Sequence, residues 1–148
     1  MKLAVIDFET TGYENGGVNE PWQLGLALVD DGVITDLREW FFTDTTIVES
    51  FEDWAPSLLG RRLVAHNIAT ERTILTRTAP LTKFGPWTDT MKLAKAKYPR
   101  LPSYALGDLC AMFGQIPQPE EFPVLAGRTW HDGLFDAVAC AKLAIFLS

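Results

Sequence analysis

The sequence has little cysteine and no long apolar run. Its only two cysteines, Cys110 and Cys140, lie in apolar segments without a CxxC spacing, so two buried free thiols are expected rather than a disulfide or a zinc site. The apolar run near the N-terminus ends at Asp7, which makes it too short for a signal peptide. No run approaches the roughly 20 residues that a membrane span requires. The sequence therefore predicts a soluble, cytoplasmic protein with no membrane partner.

Basic residues are scarce in the first 60 positions, where only Lys2 and Arg38 oppose twelve acids. The net charge of −6 for the whole chain argues against a broad basic surface for nucleic acid. Residues 61–100, however, contain nine bases and only two acids. This segment has the charge to bind a polyanion, although solvated helix faces would give the same pattern.

Length and hydrophobic patterning indicate one α/β domain over residues 1–148. The chain is 47% hydrophobic and can bury a sizeable core. Three strands come first, with a turn at residues 30–32 between the second and third, and helices then alternate with short strands. This order predicts a mixed five-stranded sheet, with three antiparallel strands and then alternating helix and strand, flanked by helices. The predicted strands are 3–8, 22–29, 33–42, 63–65 and one near 87, and the predicted helices are 51–59, 70–78, 90–97, 104–113 and 134–147.

Polar residues mark the starts of several predicted helices. Ser50, Asp89 and Ser103 each precede a helical segment and are expected to cap it. His66 follows a buried strand and is expected to be structural, with its imidazole satisfying nearby backbone groups. Residues 115–130 contain three prolines and a glycine, which predicts a long loop.

Four acids lie in otherwise apolar segments, where an unpaired charge is costly. Asp7 and Glu9 are two residues apart on the first strand, so their side chains share a face. Glu71 and Asp136 lie on the core-facing stripes of two helices. Each acid alone also fits a structural role, at a turn or in a first helical turn. Together they would repel one another unless a cation lay among them, which predicts a site for Mg²⁺ or Mn²⁺.

Three motifs lie along the chain: D-F-E-T-T-G at residues 7–12, A-H-N at residues 65–67 followed by Glu71, and His131 five residues before Asp136. They resemble the motifs of the DEDDh exonucleases. Residues 87–94 and 104–106 are similar to the segment between motifs in exonuclease X and in proofreading subunits of DNA polymerase III. The resemblance covers nearly the whole chain. Relatives carry Asp where this chain has Glu71.

The resemblance implies an RNase H-like fold and a single 3′–5′ exonuclease domain. The implied reaction hydrolyses the terminal phosphodiester of nucleic acid, DNA favoured over RNA, and releases nucleoside 5′-monophosphates with two Mg²⁺ or Mn²⁺ ions. Asp7, Glu9, Glu71 and Asp136 would hold the ions, and His131 would be the general base. An exoribonuclease, or a weakly active or inactive nucleic-acid-binding module with the same fold, remains an alternative.

The predicted partner is nucleic acid with a free 3′ end, single-stranded DNA above all. Thr10, Tyr13, Lys92 and Lys95 are the predicted substrate contacts. Tyr13 flanks the first two acids and is placed to stack on a terminal base, with loop packing as the alternative. The two lysines belong to the basic segment and would contact phosphates.

Overall fold

The computed structural model describes residues 1–12 and 19–148. Within these ranges the chain forms five strands, five α-helices and one short 3₁₀ turn, Pro123–Leu125. The strands are β1 (Lys2–Thr10), β2 (Pro21–Asp30), β3 (Val33–Phe41), β4 (Arg62–Ala65) and β5 (Trp87–Asp89). The helices are α1 (Phe51–Leu58), α2 (Ala69–Thr78), α3 (Thr90–Lys97), α4 (Leu106–Phe113) and α5 (Gly133–Leu147).

The five strands form one mixed sheet in the order β3-β2-β1-β4-β5. The first three strands are antiparallel neighbours, whereas β4 runs parallel to β1 and β5 parallel to β4. Asp31 and Gly32 join β2 to β3 with φ values of 49° and 80°, as a tight hairpin turn of twisted strands requires. The predicted mixed five-stranded sheet is confirmed.

The alternation along β1 sends its side chains to two different helix layers. Ile6 and Phe8 belong to a core shared with α1 and α2, whereas Val5 packs in a second core with α5. Asp7 has the same parity as Val5 and therefore points to the face that α5 covers. Phe8 is only 5% exposed and packs away from the acids, as its parity predicts.

The start of α5 is held tightly against β2. A Cβ atom on Gly25 would lie 2.1 Å from the carbonyl oxygen of Gly133, so the two backbones touch. The Gly133 N–H donates a 2.7 Å hydrogen bond to Oε1 of the fully buried Gln23. Asp132 caps the helix by accepting from the Phe135 N–H at 2.9 Å. These contacts fix the first turn of α5, which carries Asp136.

Two of the predicted helix caps are wrong and one is confirmed. Ser50 makes no cap bond because its hydroxyl donates back to the Thr46 carbonyl at 2.8 Å. Helix α4 begins at Leu106 rather than at 104, and Ser103 instead accepts from the Ala105 N–H and donates to a carboxylate. Asp89 does cap α3, accepting from the Met91 N–H at 2.9 Å.

Both cysteines are free and buried, as predicted. Burial raises the pKa of the Cys110 thiol to about 12, which keeps it protonated at neutral pH. Of the helices in residues 1–12 and 19–148, none is long and apolar enough to cross a bilayer.

The contact between β2 and α5 generates a stability prediction. Gly25→Ala would place a methyl group 2.1 Å from the carbonyl oxygen of Gly133. This steric clash is expected to lower the free energy of unfolding by about 1 to 3 kcal/mol. Gly107→Ala is the matched control, since its added Cβ would meet the Trp130 ring at an ordinary 3.5 Å. The control is expected to be neutral or stabilising. Urea unfolding measures the stability of both variants. Equal midpoints for wild type and Gly25→Ala would contradict the close contact between Gly25 and Gly133.

Candidate active site

Three carboxylates meet between β1 and the first turn of α5. Ligand oxygens of Asp7, Glu9 and Asp136 all lie within 4.8 Å of one another. Asp136 is only 9% exposed, and the two β1 acids are half-buried. The two-residue spacing on β1 aligns the first pair, and the anchored start of α5 supplies the third. We call Asp7, Glu9 and Asp136 the acid triad.

The acid triad contains buried oxygens that have no partner. Asp7 Oδ2 and Asp136 Oδ1 are buried without a hydrogen-bond donor among the described residues. The other oxygen of Asp136 accepts from the His131 backbone N–H at 3.2 Å. A buried acceptor left unsatisfied is costly and requires an explanation. Carboxylate oxygens are the ligands that Mg²⁺ and Mn²⁺ prefer, so the donor set fits a hard divalent cation.

Burial and neighbouring carboxyl groups raise the pKa values of Asp7 and Asp136. Burial, followed by the neighbouring Glu9 and Asp136 carboxyls, raises the pKa of Asp7 well above its ordinary value. Burial also raises the pKa of Asp136 to about 7, with the charge of Glu9 next in size. Without a cation the acid triad therefore holds protons near neutral pH. A bound divalent ion would displace those protons.

Glu71 lies beside the acid triad but not within it. No fourth acid of the described residues shares the triad's mutual spacing. Glu71 is kept out of the triad because its helix, α2, packs with Ile6 and Phe8 on the sheet face opposite to α5. Glu71 is 4% exposed, and burial raises its pKa to about 8, partly offset by the Phe8 backbone N–H. Its charge also raises the pKa of Asp7, so the two groups are electrostatically linked.

His131 lies at the rim of the site with its side chain exposed. Its φ of 71° places the backbone in the left-handed region, which is costly for a residue with a side chain. Neighbouring contacts hold this conformation. Arg128 donates two 2.9 Å hydrogen bonds to the Glu39 carboxylate on β3 and lies 3.5 Å from Asp132. The loop that carries His131 is thus tied to the sheet.

His66 is structural, as the sequence predicts. Its Nε2 lies 2.6 Å from the Tyr104 carbonyl and its Nδ1 2.8 Å from the Thr90 hydroxyl. A carbonyl only accepts, so Nε2 carries the proton. Burial lowers the pKa of the imidazole, and the neutral ring accepts from Thr90. This side chain joins β4 to α3 and α4 rather than facing the acid triad.

The predicted substrate contacts are spread over several elements. Thr10 ends β1 beside Glu9 and is half-buried. Lys92 borders an open cleft with Ile68 and Trp87 at the start of α2. Lys95 lies one turn later, with its ammonium 5.6 Å from the Tyr104 ring centroid. Tyr13 lies outside the described residues.

Sequence analysis missed two side chains that shape the site, Gln23 and Arg128. Gln23 is fully buried and bonds to both Gly133 and Glu39. The sequence does indicate a special role for Gln23, because a glutamine within the apolar run P-W-Q-L-G-L-A-L-V is unusual. Arg128 has no local signal, because its partner Glu39 is 89 residues away.

Several solved structures share this architecture. Exonuclease X in complex with 5′-overhanging duplex DNA is 24% identical, with a TM-score of 0.67, covering 98% of this chain and 90% of that one. The nuclease domain of 3′hExo, a DEDDh family member bound to rAMP, is 18% identical, with a TM-score of 0.68 and the same coverages. The zinc-bound complex of E. coli exonuclease I with single-stranded DNA is 18% identical, with a TM-score of 0.64, covering 97% of this chain and 39% of that one.

These likenesses establish the fold. No protein-family model matches the chain, and no curated protein matches it by sequence. The predicted RNase H-like α/β fold is confirmed, and the resemblance to DEDDh exonucleases extends from the motifs to the arrangement of strands and helices.

The raised pKa of Asp136 generates a prediction for the metal-free protein. Folded Asp136 keeps its proton up to about pH 7, whereas the unfolded chain releases it near pH 4. The folded state therefore binds more protons between these values, and its stability should fall as pH rises from about 4 to 7. Asp136→Asn mimics the protonated acid and should flatten this decline. Unfolding temperatures in EDTA from pH 4 to 9 measure this decline.

The exposed Glu52→Gln in α1 is the control and should keep the wild-type decline. Mn²⁺ should restore wild-type stability at pH 8 more than at pH 5, because protons compete with the ion. Identical pH profiles for wild type and Asp136→Asn would exclude Asp136 as the titrating group.

Proposed function

We propose that this protein is a metal-dependent 3′–5′ exonuclease that releases nucleoside 5′-monophosphates, with DNA favoured over RNA. The observation that carries the proposal is the acid triad: three carboxylates within 4.8 Å, with two buried oxygens that lack any described donor. A cluster of this kind is unstable without a cation. It occurs in a fold whose solved examples include several exonucleases.

The position of each acid indicates which metal ion it would bind. Asp7 is influenced by the charges of Glu9, Asp136 and Glu71, so we propose that it would serve both of two Mg²⁺ or Mn²⁺ ions. Glu9 and Asp136 would complete one set of ligands, and Glu71 would serve the other. When bound, two such ions stabilise the attacking and leaving oxygens of an in-line displacement at phosphorus.

His131 is the proposed general base. A neutral imidazole accepts a proton near physiological pH, and this one is exposed at the rim of the acid triad. Its backbone N–H is bonded to Asp136, which keeps the residue next to the metal ligands. The attacking water would deliver its proton to this ring as the new phosphorus–oxygen bond forms.

DNA and RNA are both candidate substrates of the proposed reaction. DNA is supported by the likeness to exonuclease X, solved with duplex DNA. An exoribonuclease is supported by the likeness to 3′hExo, solved with rAMP. Thr10, Tyr13, Lys92 and Lys95 are the proposed contacts to a single-stranded 3′ end. The two free thiols support a reducing, cytoplasmic location.

A digestion assay tests the proposed reaction. Matched 5′-labelled single-stranded DNA, duplex DNA and RNA are incubated with Mg²⁺ or Mn²⁺, and the products are identified by mass. The wild type should shorten 3′ ends one nucleotide at a time. Asp7→Asn should reduce the rate by about three orders of magnitude, because several kcal/mol of transition-state stabilisation depend on the ions. Glu52→Gln on α1 should be unaffected. Retained activity in Asp7→Asn, or internal fragments as products, would refute the assignment.

The role of the base has its own test. His131→Ala should lower the single-turnover rate by about 10² to 10⁴ while the KM for substrate changes little. Thr129→Ala, exposed in the same loop, is the matched control and should keep the wild-type rate. A wild-type single-turnover rate in His131→Ala would remove the histidine from the reaction.

A further inference from the structure

The outward face of α2 is polar and positively charged. Its inward face buries Glu71, Ile74 and Leu75. The residues of the opposite face are exposed, and they combine two guanidinium groups with two hydroxyls: Arg72, Thr73, Thr76 and Arg77. No other element of the described chain packs on this stripe closely enough to bury it. We call these four residues, together with the exposed Lys83 in the loop that follows, the α2 face.

Adjoining clefts run along the α2 face. One is lined by Asn19, Thr70, Thr73 and Arg77, and a second by Arg72, Thr73, Thr76 and Arg77. A third shares Arg72 and Thr76 and continues to Lys83 and Phe84. Because neighbouring clefts share the side chains of the α2 face, we describe them together as one groove along this helix. Among the described residues that line this groove there is no carboxylate, although the chain as a whole carries a net charge of −6.

Two other bases of residues 61–100 bond within the fold. Arg61 pairs with Asp30 at 3.1 Å, and Arg62 donates to the Trp87 carbonyl and the Thr88 hydroxyl. On the α2 face, Arg77 donates a 2.9 Å bond to the Asn19 carbonyl. A guanidinium has five donors, so this bond, the one found among the described residues, leaves Arg77 able to bind an anion. The basic segment seen in the sequence thus comprises two structural arginines, the cations of the α2 face and the exposed bases of residues 92–100.

The α2 face adjoins the proposed reaction site at two points. Arg72 follows Glu71, whose side chain lies beside the acid triad. Arg77 bonds to the carbonyl of Asn19, whose side chain accepts from the Gly12 N–H just after β1. The ten residues of α2 span about 15 Å at ~1.5 Å per residue. One strand of a duplex places a phosphate about every 3.4 Å. The length of the helix therefore matches about four phosphates.

We propose that the α2 face binds the phosphate backbone of the nucleic acid strand that leads to the 3′ end. This inference rests on the proposed function and names a further part of the substrate site. Arginine forks and threonine hydroxyls bind phosphate oxygens without reading bases. The contact is therefore independent of sequence, and it gives affinity for strands long enough to extend from the acid triad past Lys83.

Salt-dependent binding in EDTA tests the groove without requiring cleavage. The variant Arg72→Gln/Arg77→Gln/Lys83→Gln removes three cations, and each phosphate contact contributes about 0.7 to the slope of log K against log salt for single strands and about 0.9 for duplex. The slope should become shallower by about 2 on a single-stranded decamer. Lys2→Gln/Lys97→Gln/Arg100→Gln removes three exposed cations that are not on the α2 face, at the start of β1, at the end of α3 and in the segment after α3, and should keep the wild-type slope.

Each result of this test has a defined meaning. A wild-type slope in the α2 variant, or no binding of any oligonucleotide by wild type, would overturn the inference. If the triple variant unfolds at lower temperature, Lys83→Gln alone, in an exposed loop, should still reduce the slope by about 0.7. Wild type that binds with the expected slope but never cleaves would refute the proposed function and leave the groove supported.

Substrate length gives an independent readout on active protein. A trinucleotide has too few phosphates to reach Lys83 from the acid triad, so the triple variant should change the KM for it much less than the KM for a decamer. With a decamer the variant's KM should rise at least tenfold, while kcat is unchanged. An equal increase on both lengths would contradict a groove that extends away from the reaction site.

Discussion

The site depends on the place where the backbones of β2 and α5 touch. Gly25 and Gly133 approach so closely that no Cβ fits on Gly25, and buried Gln23 fastens the helix start with a hydrogen bond. One turn later α5 presents Asp136 to the two acids of β1. Because protein interiors are densely packed, a shift at this contact is transmitted rather than absorbed. Apolar burial on both sheet faces provides the stability that holds three like charges together.

Charge is arranged in two adjacent zones of opposite sign. The acid triad and Glu71 form a cluster of carboxyl groups, and their raised pKa values reflect the cost of charging that cluster without a cation. The positive face of α2 lies on the helix that carries Glu71. Under the proposed function, a phosphate backbone would be attracted to the helix and would approach the acids once divalent cations had reversed their charge. Metal loading and substrate binding would then be linked.

Local patterns were sufficient for much of the fold and part of the site. A period of two placed Asp7 and Glu9 on one face of β1, and the Asp-Gly turn and the long final helix were predicted from neighbouring residues alone. Glu71 could not be positioned in this way. Which sheet face α2 covers depends on the path of the chain through three dimensions, and that path leaves Glu71 beside the acid triad.

The sequence predictions failed for two physical reasons, competition between local hydrogen bonds and contacts between distant segments. Ser50 satisfies a carbonyl in the preceding turn instead of capping α1, a local competition that sequence does not resolve. Arg61 and Arg128 find partners 31 and 89 residues away, so their roles differ from those of the exposed bases around them. Contacts between distant segments decide which charges are structural.

The two carboxylate oxygens of Asp136 have different surroundings, and this affects how a loss of function caused by mutating Asp136 can be interpreted. One carboxylate oxygen is buried without a donor, and the other accepts from the backbone of His131 in its left-handed conformation. That conformation costs about 1 to 2 kcal/mol and persists only while its surroundings enforce it. Removing the carboxylate would therefore release the histidine as well as a proposed cation ligand. An inactive chain altered at 136 would confound these two defects, whereas a change at Asp7 would leave the bond between Asp136 and His131 in place.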